Sequence, residues 1–130
     1  MTNSEIVERF EQGIPHGDGF HHADHIRVGF AYLCEFSIYV AMEKFSCALK
    51  NLAIKNGRAD RYNETITWAY LFLIRERIIR AGGKLEWDEF VAQNPDIFAW
   101  KPDILSRYYR EETLQSDLAK AVFLMPDLHA

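Results

Sequence analysis

Apolar positions recur along this chain at intervals of three and four residues, the spacing that lays a stripe along one side of an α-helix. Glycine and proline fall mostly between the periodic stretches, where helices stop and start. Helix 1 is predicted over Ser4 to Gln12, with Ser4 as its N-cap and Gly13 just beyond its end. Gly13 to Gly19 reads as a loop, and His21 to Phe36 as helix 2. Ser37 caps helix 3, which runs to Asn56 and stops at Gly57. Helix 4 starts near Asp60 or Arg61 and ends at Gly82 and Gly83. Shorter pieces follow around Trp87 to Gln93, Pro95 to Trp100, Pro102 to Tyr109 and Glu111 to Leu124, with Pro95 and Pro102 suited to first turns. No alternating pattern is long enough for a strand, and the run Trp68 to Ile74 sits in too long a stretch without a turn signal to be one. The expectation is an all-α fold, a single-domain up-and-down bundle of about five to seven helices over residues 1–130.

Helical wheels separate the two middle helices. In helix 2, Ala23, Ile26, Gly29, Phe30, Leu33 and Cys34 form one apolar arc, with Asp24 and Glu35 facing solvent. His22 falls inside the edge of that arc, and His25 and His21 lie further round, so the histidines fan across one flank. Helix 4 is apolar on nearly every side between Ile66 and Ile79, which marks it as the central, buried helix. Glu64 and Arg75 stand out on it, sharing one stripe between apolar neighbours. A carboxylate in such a setting needs a partner, because an unpaired buried charge is too costly. Short links make successive helices antiparallel, so helices 2 and 4 are expected to run parallel, with both N-termini at one end. The loop with His16 and Asp18, the cluster His21, His22, Asp24 and His25, and the pair Asn63 and Glu64 should meet there.

Composition narrows the function classes. With 130 residues, 48% hydrophobic and 14% aromatic, the chain can bury a core without a disulfide or structural metal, and it is no disordered segment. Its 15 Lys and Arg against 19 Asp and Glu give a formal charge of −4, which argues against nucleic acid as a partner. Arg107 to Arg110 interleaves basic and aromatic residues, but in an acidic chain this suits a packed tyrosine pair between exposed arginines, one of them reaching Glu64. The charged N-terminus lacks the apolar segment of a secretory signal, and no apolar run approaches the roughly 20 residues of a membrane span. Cys34 and Cys47 form no Cys-x-x-Cys pair and are expected to be buried, reduced thiols of a cytoplasmic protein. Trp68, Trp87 and Trp100 are expected in the core. There is no phosphate-binding Gly-rich motif and no nucleophile elbow.

The histidine cluster carries the candidate chemistry. His21 and His25 stand four residues apart, and His21–Asp24 and His22–His25 three apart, so each pair projects from one helix flank. Glu64 from a second helix completes two histidines and a carboxylate, a set suited to zinc, iron or manganese. In this reading His22, His25 and Glu64 form the centre, and His21 and Asp24 are auxiliary ligands or orienting groups. Metal-assisted hydrolysis, or proton transfer by His25, is the enzyme class such a site would serve. Three facts weigh against it. Asp24 directly precedes His25, unlike the His-Glu-x-x-His run, and the Glu-x-x-His pair of di-metal bundles is missing. A helix N-terminus disfavours a cation unless carboxylates offset it, and Asp24 and Asp60 can simply cap such an end without any function. One alternative is a small anionic molecule bound by His21, His22 or Arg27 at the positive helix end. The other is a structural His25–Glu64 hydrogen bond in a non-catalytic interaction protein, whose apolar helices bury a homo-oligomer or partner surface.

The stretches FHHADHIRVGFAYL (Phe20 to Leu33), RYNETITWAYLFLIRER (Arg61 to Arg77) and ILSRYYREETL (Ile104 to Leu114) resemble a group of small bacterial proteins with no assigned activity. In that group F-x-H-x-D-H precedes Y-H-E-T, and the resemblance singles out His22, Asp24, His25 and Glu64. This chain departs from the pattern at Asn63, where the group has histidine. If that histidine is a ligand, the metal reading is weaker here.

Overall fold

The computed structural model describes residues 1–13 and 20–128. Among them are seven α-helices: α1 (Asn3–Glu11), α2 (His22–Glu35), α3 (Ile38–Lys55), α4 (Glu64–Arg80), α5 (Trp87–Gln93), α6 (Glu111–Leu114) and α7 (Asp117–Ala121). Short 3-10 turns cover Ala59–Arg61, Pro95–Phe98 and Ile104–Arg107. The described residues contain no strand, so the fold is all-α, and none of their helices is long and apolar enough to cross a membrane.

Side-chain caps decide where the helices begin. Thr2, not Ser4, opens α1, accepting from the Glu5 N–H at 3.1 Å while the Glu5 carboxylate accepts from the Thr2 N–H at 3.2 Å. That reciprocal box needs an acid three residues on, and Ser4 has Val7 there. Ser37 caps α3 as expected, accepting from Val40 N–H at 3.3 Å. α4 begins later than predicted because Asn63 takes the cap, accepting from Ile66 N–H at 2.9 Å. Gly13 and Gly57 adopt φ values of 70° and 69° after α1 and α3, a left-handed turn that glycine makes without a Cβ clash. The predicted last helix is divided at Ser116, whose hydroxyl accepts from Ala119 N–H at 3.1 Å and starts α7.

The deepest helix is α2 rather than α4. Ile26, Val28, Phe30, Ala31 and Tyr32 are no more than 1% exposed, because α1, α3 and α4 all pack on this helix. On α4, by contrast, Phe72 and Ile79 are 42% and 56% exposed and Arg75 faces solvent. Its buried face runs through Thr65, Ala69, Leu71, Ile74 and Ile78. Gly29 permits the close approach of α2 to α4: a Cβ there would stand 3.3 Å from Leu71 Cδ2 and 3.5 Å from Ile74 Cδ1. One side of α2 joins Phe90, Ile97, Ile104 and Leu105 from the C-terminal third, and the other joins Val7, Phe10, Ala41 and Phe45 from α1 and α3. Contacts between α3 and α4 run in opposite chain order, with Trp68 Nε1 donating to Ser46 Oγ at 3.1 Å and Lys50 over the Tyr62 ring at 5.1 Å, so this pair is antiparallel.

Polar groups stitch the C-terminal segment to this frame. The fully buried Thr65 hydroxyl donates to the Val122 carbonyl at 2.8 Å and accepts from Leu124 N–H at 3.0 Å. Tyr109 donates to the Leu124 carbonyl at 2.7 Å, and Phe123 stacks on Trp68 at 5.8 Å. Arg77 forks onto both Asp96 oxygens at 3.0 and 2.9 Å and also reaches Asn94 Oδ1 at 2.8 Å. Arg107 turns to Asp96 at 3.5 Å, not to Glu64 as expected. Three further expectations of burial fail. Cys34 and Cys47 are exposed, as is Trp100, because each lies on a face that no described element covers.

Candidate functional site

The N-termini of α2 and α4 meet at one end of the molecule, beside the C-terminus of α3. An open cleft of about 1340 Å³ lies there. His21, His22 and His25 all line it, together with Tyr62 and Asn63 at the entry to α4 and Tyr70 further along that helix. Link lengths alone implied this convergence, and it is the part of the site that sequence located. His16 and Asp18 lie outside the described residues.

His22 is held by contacts on three sides. Its Nε2 is 3.1 Å from the Ile97 carbonyl oxygen, and its ring lies against Tyr70 at 5.3 Å and Trp100 at 4.9 Å. A carbonyl only accepts, so Nε2 carries a proton, and in the neutral ring the lone pair is on Nδ1. His25 packs edge-on to Phe20 with ring centroids 4.2 Å apart. Burial, and secondarily the neighbouring His22, lower its pKa to about 4, so this imidazole is uncharged at neutral pH. His21 is exposed at the N-cap of α2.

The two predicted carboxylate ligands are engaged elsewhere. Asp24 accepts from the His21 N–H at 2.8 Å, closing the first turn of α2. Glu64 accepts from the Tyr62 hydroxyl instead of pairing with His25, and it does not line the cleft. Burial and then the Glu64 carboxylate raise the Tyr62 pKa, so the phenol remains the donor. Among the described residues, no three His, Cys, Asp or Glu side chains are grouped to hold a metal ion. Arg27 lies away from the cleft, donating to Asn3 Oδ1 at 2.9 Å and stacked 4.8 Å from the Trp87 ring.

Three residues take roles here that the sequence did not assign to them. Asn63 caps α4 with its oxygen and donates through its amide to the Leu114 carbonyl at 2.7 Å, tying the cleft floor to α6. Trp100 lines the cleft against His22 while 62% exposed. Tyr70 also lines it, and its hydroxyl oxygen is buried without a hydrogen-bond partner among the described residues. Burial and nearby Asp103 raise its pKa, so it stays protonated. On a wheel Tyr70 was one more apolar residue of helix 4, and only the hydroxyl inside an apolar run gave a hint. Comparison with known families, characterised proteins and solved structures finds no match to this chain.

Proposed function

We propose that this protein binds a small organic ligand in the cleft, with His22, His25 and Tyr70 as the recognising groups. The observation that carries the reading is their convergence on one concavity, where a buried hydroxyl lacks a partner and a histidine is held uncharged. Buried polar groups are nearly always hydrogen-bonded, and unpaired ones cluster where a ligand completes them. A volume of about 1340 Å³ also exceeds what a single ion would occupy. A thermal-shift screen of small metabolites tests the idea, with Ala53→Trp as the control that fills the cleft from α3. Ligands that raise the melting temperature of the wild type should lose their effect in that variant. Stabilisation that survives the filled cleft would sink the proposal.

One contact favours a second reading, a metal ion at His22 and His25. A histidine that donates one ring N–H to a backbone carbonyl is oriented as metal-ligating histidines usually are, and His22 does this to Ile97. Zinc, iron or manganese bound there should appear in elemental analysis of tag-free protein and vanish in His25→Ala. The cytoplasm of a bacterium is the setting we propose, since two exposed free thiols, Cys34 and Cys47, suit a reducing compartment.

A further inference from the structure

We infer that the ligand is an anion with an apolar body, such as an aromatic carboxylate. This inference rests on the cleft being a ligand site and adds the chemical class. The whole chain is acidic, with a formal charge of −4, yet among the described residues Arg58, Arg61 and Lys101 line the cleft against Asp103 and Glu111. Among the described residues the ion pairs within 4 Å are Arg77–Asp96, Arg80–Glu76 and Arg107–Asp96, so none of the three cleft cations is paired. A lone solvated arginine means little. Here three cations border the same concavity, and its wall is apolar, formed by Phe20, Leu52, Ile66, Leu114 and Trp100. Low-dielectric walls focus the field of such a rim and favour an entering negative charge. The first turns of α2 and α4 add positive partial charge at this end, although Asp24 and Glu64 offset part of it within the helix starts. The side-chain cations therefore carry the argument. A neutral apolar ligand would leave them unused, and a cationic one would be repelled by them. A carboxylate on an aromatic body satisfies both the rim and the wall, and its oxygens are acceptors for Tyr70 and for a histidine N–H.

Three probes of one shape separate the outcomes: naphthoate, naphthalenemethanol and naphthylmethylammonium. Each is titrated into the full chain at low salt and neutral pH while Trp fluorescence and heat are followed. Naphthoate should bind roughly tenfold more tightly than the alcohol, the ratio expected from several weak, partly exposed charge contacts. The ammonium should bind weakest. Arg58, Arg61 and Lys101 are exposed, so replacing all three with glutamine should leave the fold intact, and this triple variant should bind acid and alcohol equally. Equal affinities in the wild type, tightest binding of the ammonium, or an acid preference that survives in the triple variant would overturn the anion class while leaving the cleft a ligand site. If no probe binds, or binding persists in Ala53→Trp, the cleft reading and the class fall together.

Discussion

Two buried hydroxyls on α4 have opposite energetic signs. Thr65 donates to the Val122 carbonyl and accepts from the Leu124 N–H, so its hydroxyl is used in both senses and it joins α4 to the C-terminal segment. Thr65→Val keeps the shape but leaves the Val122 carbonyl and the Leu124 N–H without this partner, and should lower stability by about 1 kcal/mol. Tyr70 is the reverse case, a buried hydroxyl with no partner among the described residues. Tyr70→Phe removes an unsatisfied group without opening a cavity, so the ligand-free protein should gain up to about 1 kcal/mol. Guanidinium unfolding of both variants checks the pair of signs. A destabilised Tyr70→Phe would mean that the hydroxyl is already satisfied, and the case for it as a ligand-binding group would weaken. A residue kept at the expense of stability is what a binding site is expected to contain.

At the scale of elements, α4 is held at both ends by polar clamps and in the middle by close packing. Near its C-terminus, Arg77 grips Asp96 through two parallel bonds and Asn94 through a third. Lysine cannot reproduce that fork, so Arg77→Lys should cost about 1 kcal/mol, a modest figure because both partners of the pair are partly exposed. In the middle, Gly29→Val would drive a branched side chain into Leu71 and Ile74, and overpacking of this kind costs about 1–3 kcal/mol. Both changes are measurable as shifts of the urea midpoint. Neither clamp could be read from the sequence, because each joins residues distant in the chain that helical periodicity does not relate. Periodicity did locate the four long helices, and Ser37 and Gly57 marked two of their boundaries correctly. It misjudged which helix is central. A wheel reports how apolar each face is, not how many neighbours that face will find. Three helices surround α2, whereas α4 leaves Phe72 and Ile79 in solvent. The same limit explains Cys34, which lies on the apolar arc of α2 where no described helix covers it.

For the whole molecule, the legible part of the site was its location, since link lengths alone bring the starts of α2 and α4 together. Partners were not legible. Glu64 was expected to reach His25, yet Tyr62, two residues earlier in the chain, is nearer and takes the carboxylate. The histidine left without that partner has a consequence for stability under acid. His25 has a folded pKa of about 4 against an ordinary 6.5, with burial as the main cause and His22 second, while Asp24 acts in the opposite direction. The unfolded chain therefore binds a proton at this position at a higher pH than the folded chain does. Stability should be full above pH 6.5, fall as the pH drops towards 4, and lose on the order of 3 kcal/mol across that window. Asp96 and Asp127 act lower down. Arg77 in the first case, and the Thr113 hydroxyl in the second, hold these carboxyls below their usual range. Their contribution is present above the unfolded carboxyl value of about 3.9 and is lost only below it. Acid unfolding should accordingly show two stages, a histidine stage and then a carboxylate stage. Denaturant midpoints measured from pH 7.5 down to about 3 can separate them, because His25→Gln should flatten the upper stage and leave the lower one, while Asp96→Asn should reduce only the lower. A wild type with constant stability between pH 6.5 and 4 would show that His25 takes up its proton in the folded protein as readily as in the unfolded chain. The cleft would then hold a charged imidazole through that range, and an anion would bind it more tightly as the pH falls through the ordinary histidine value.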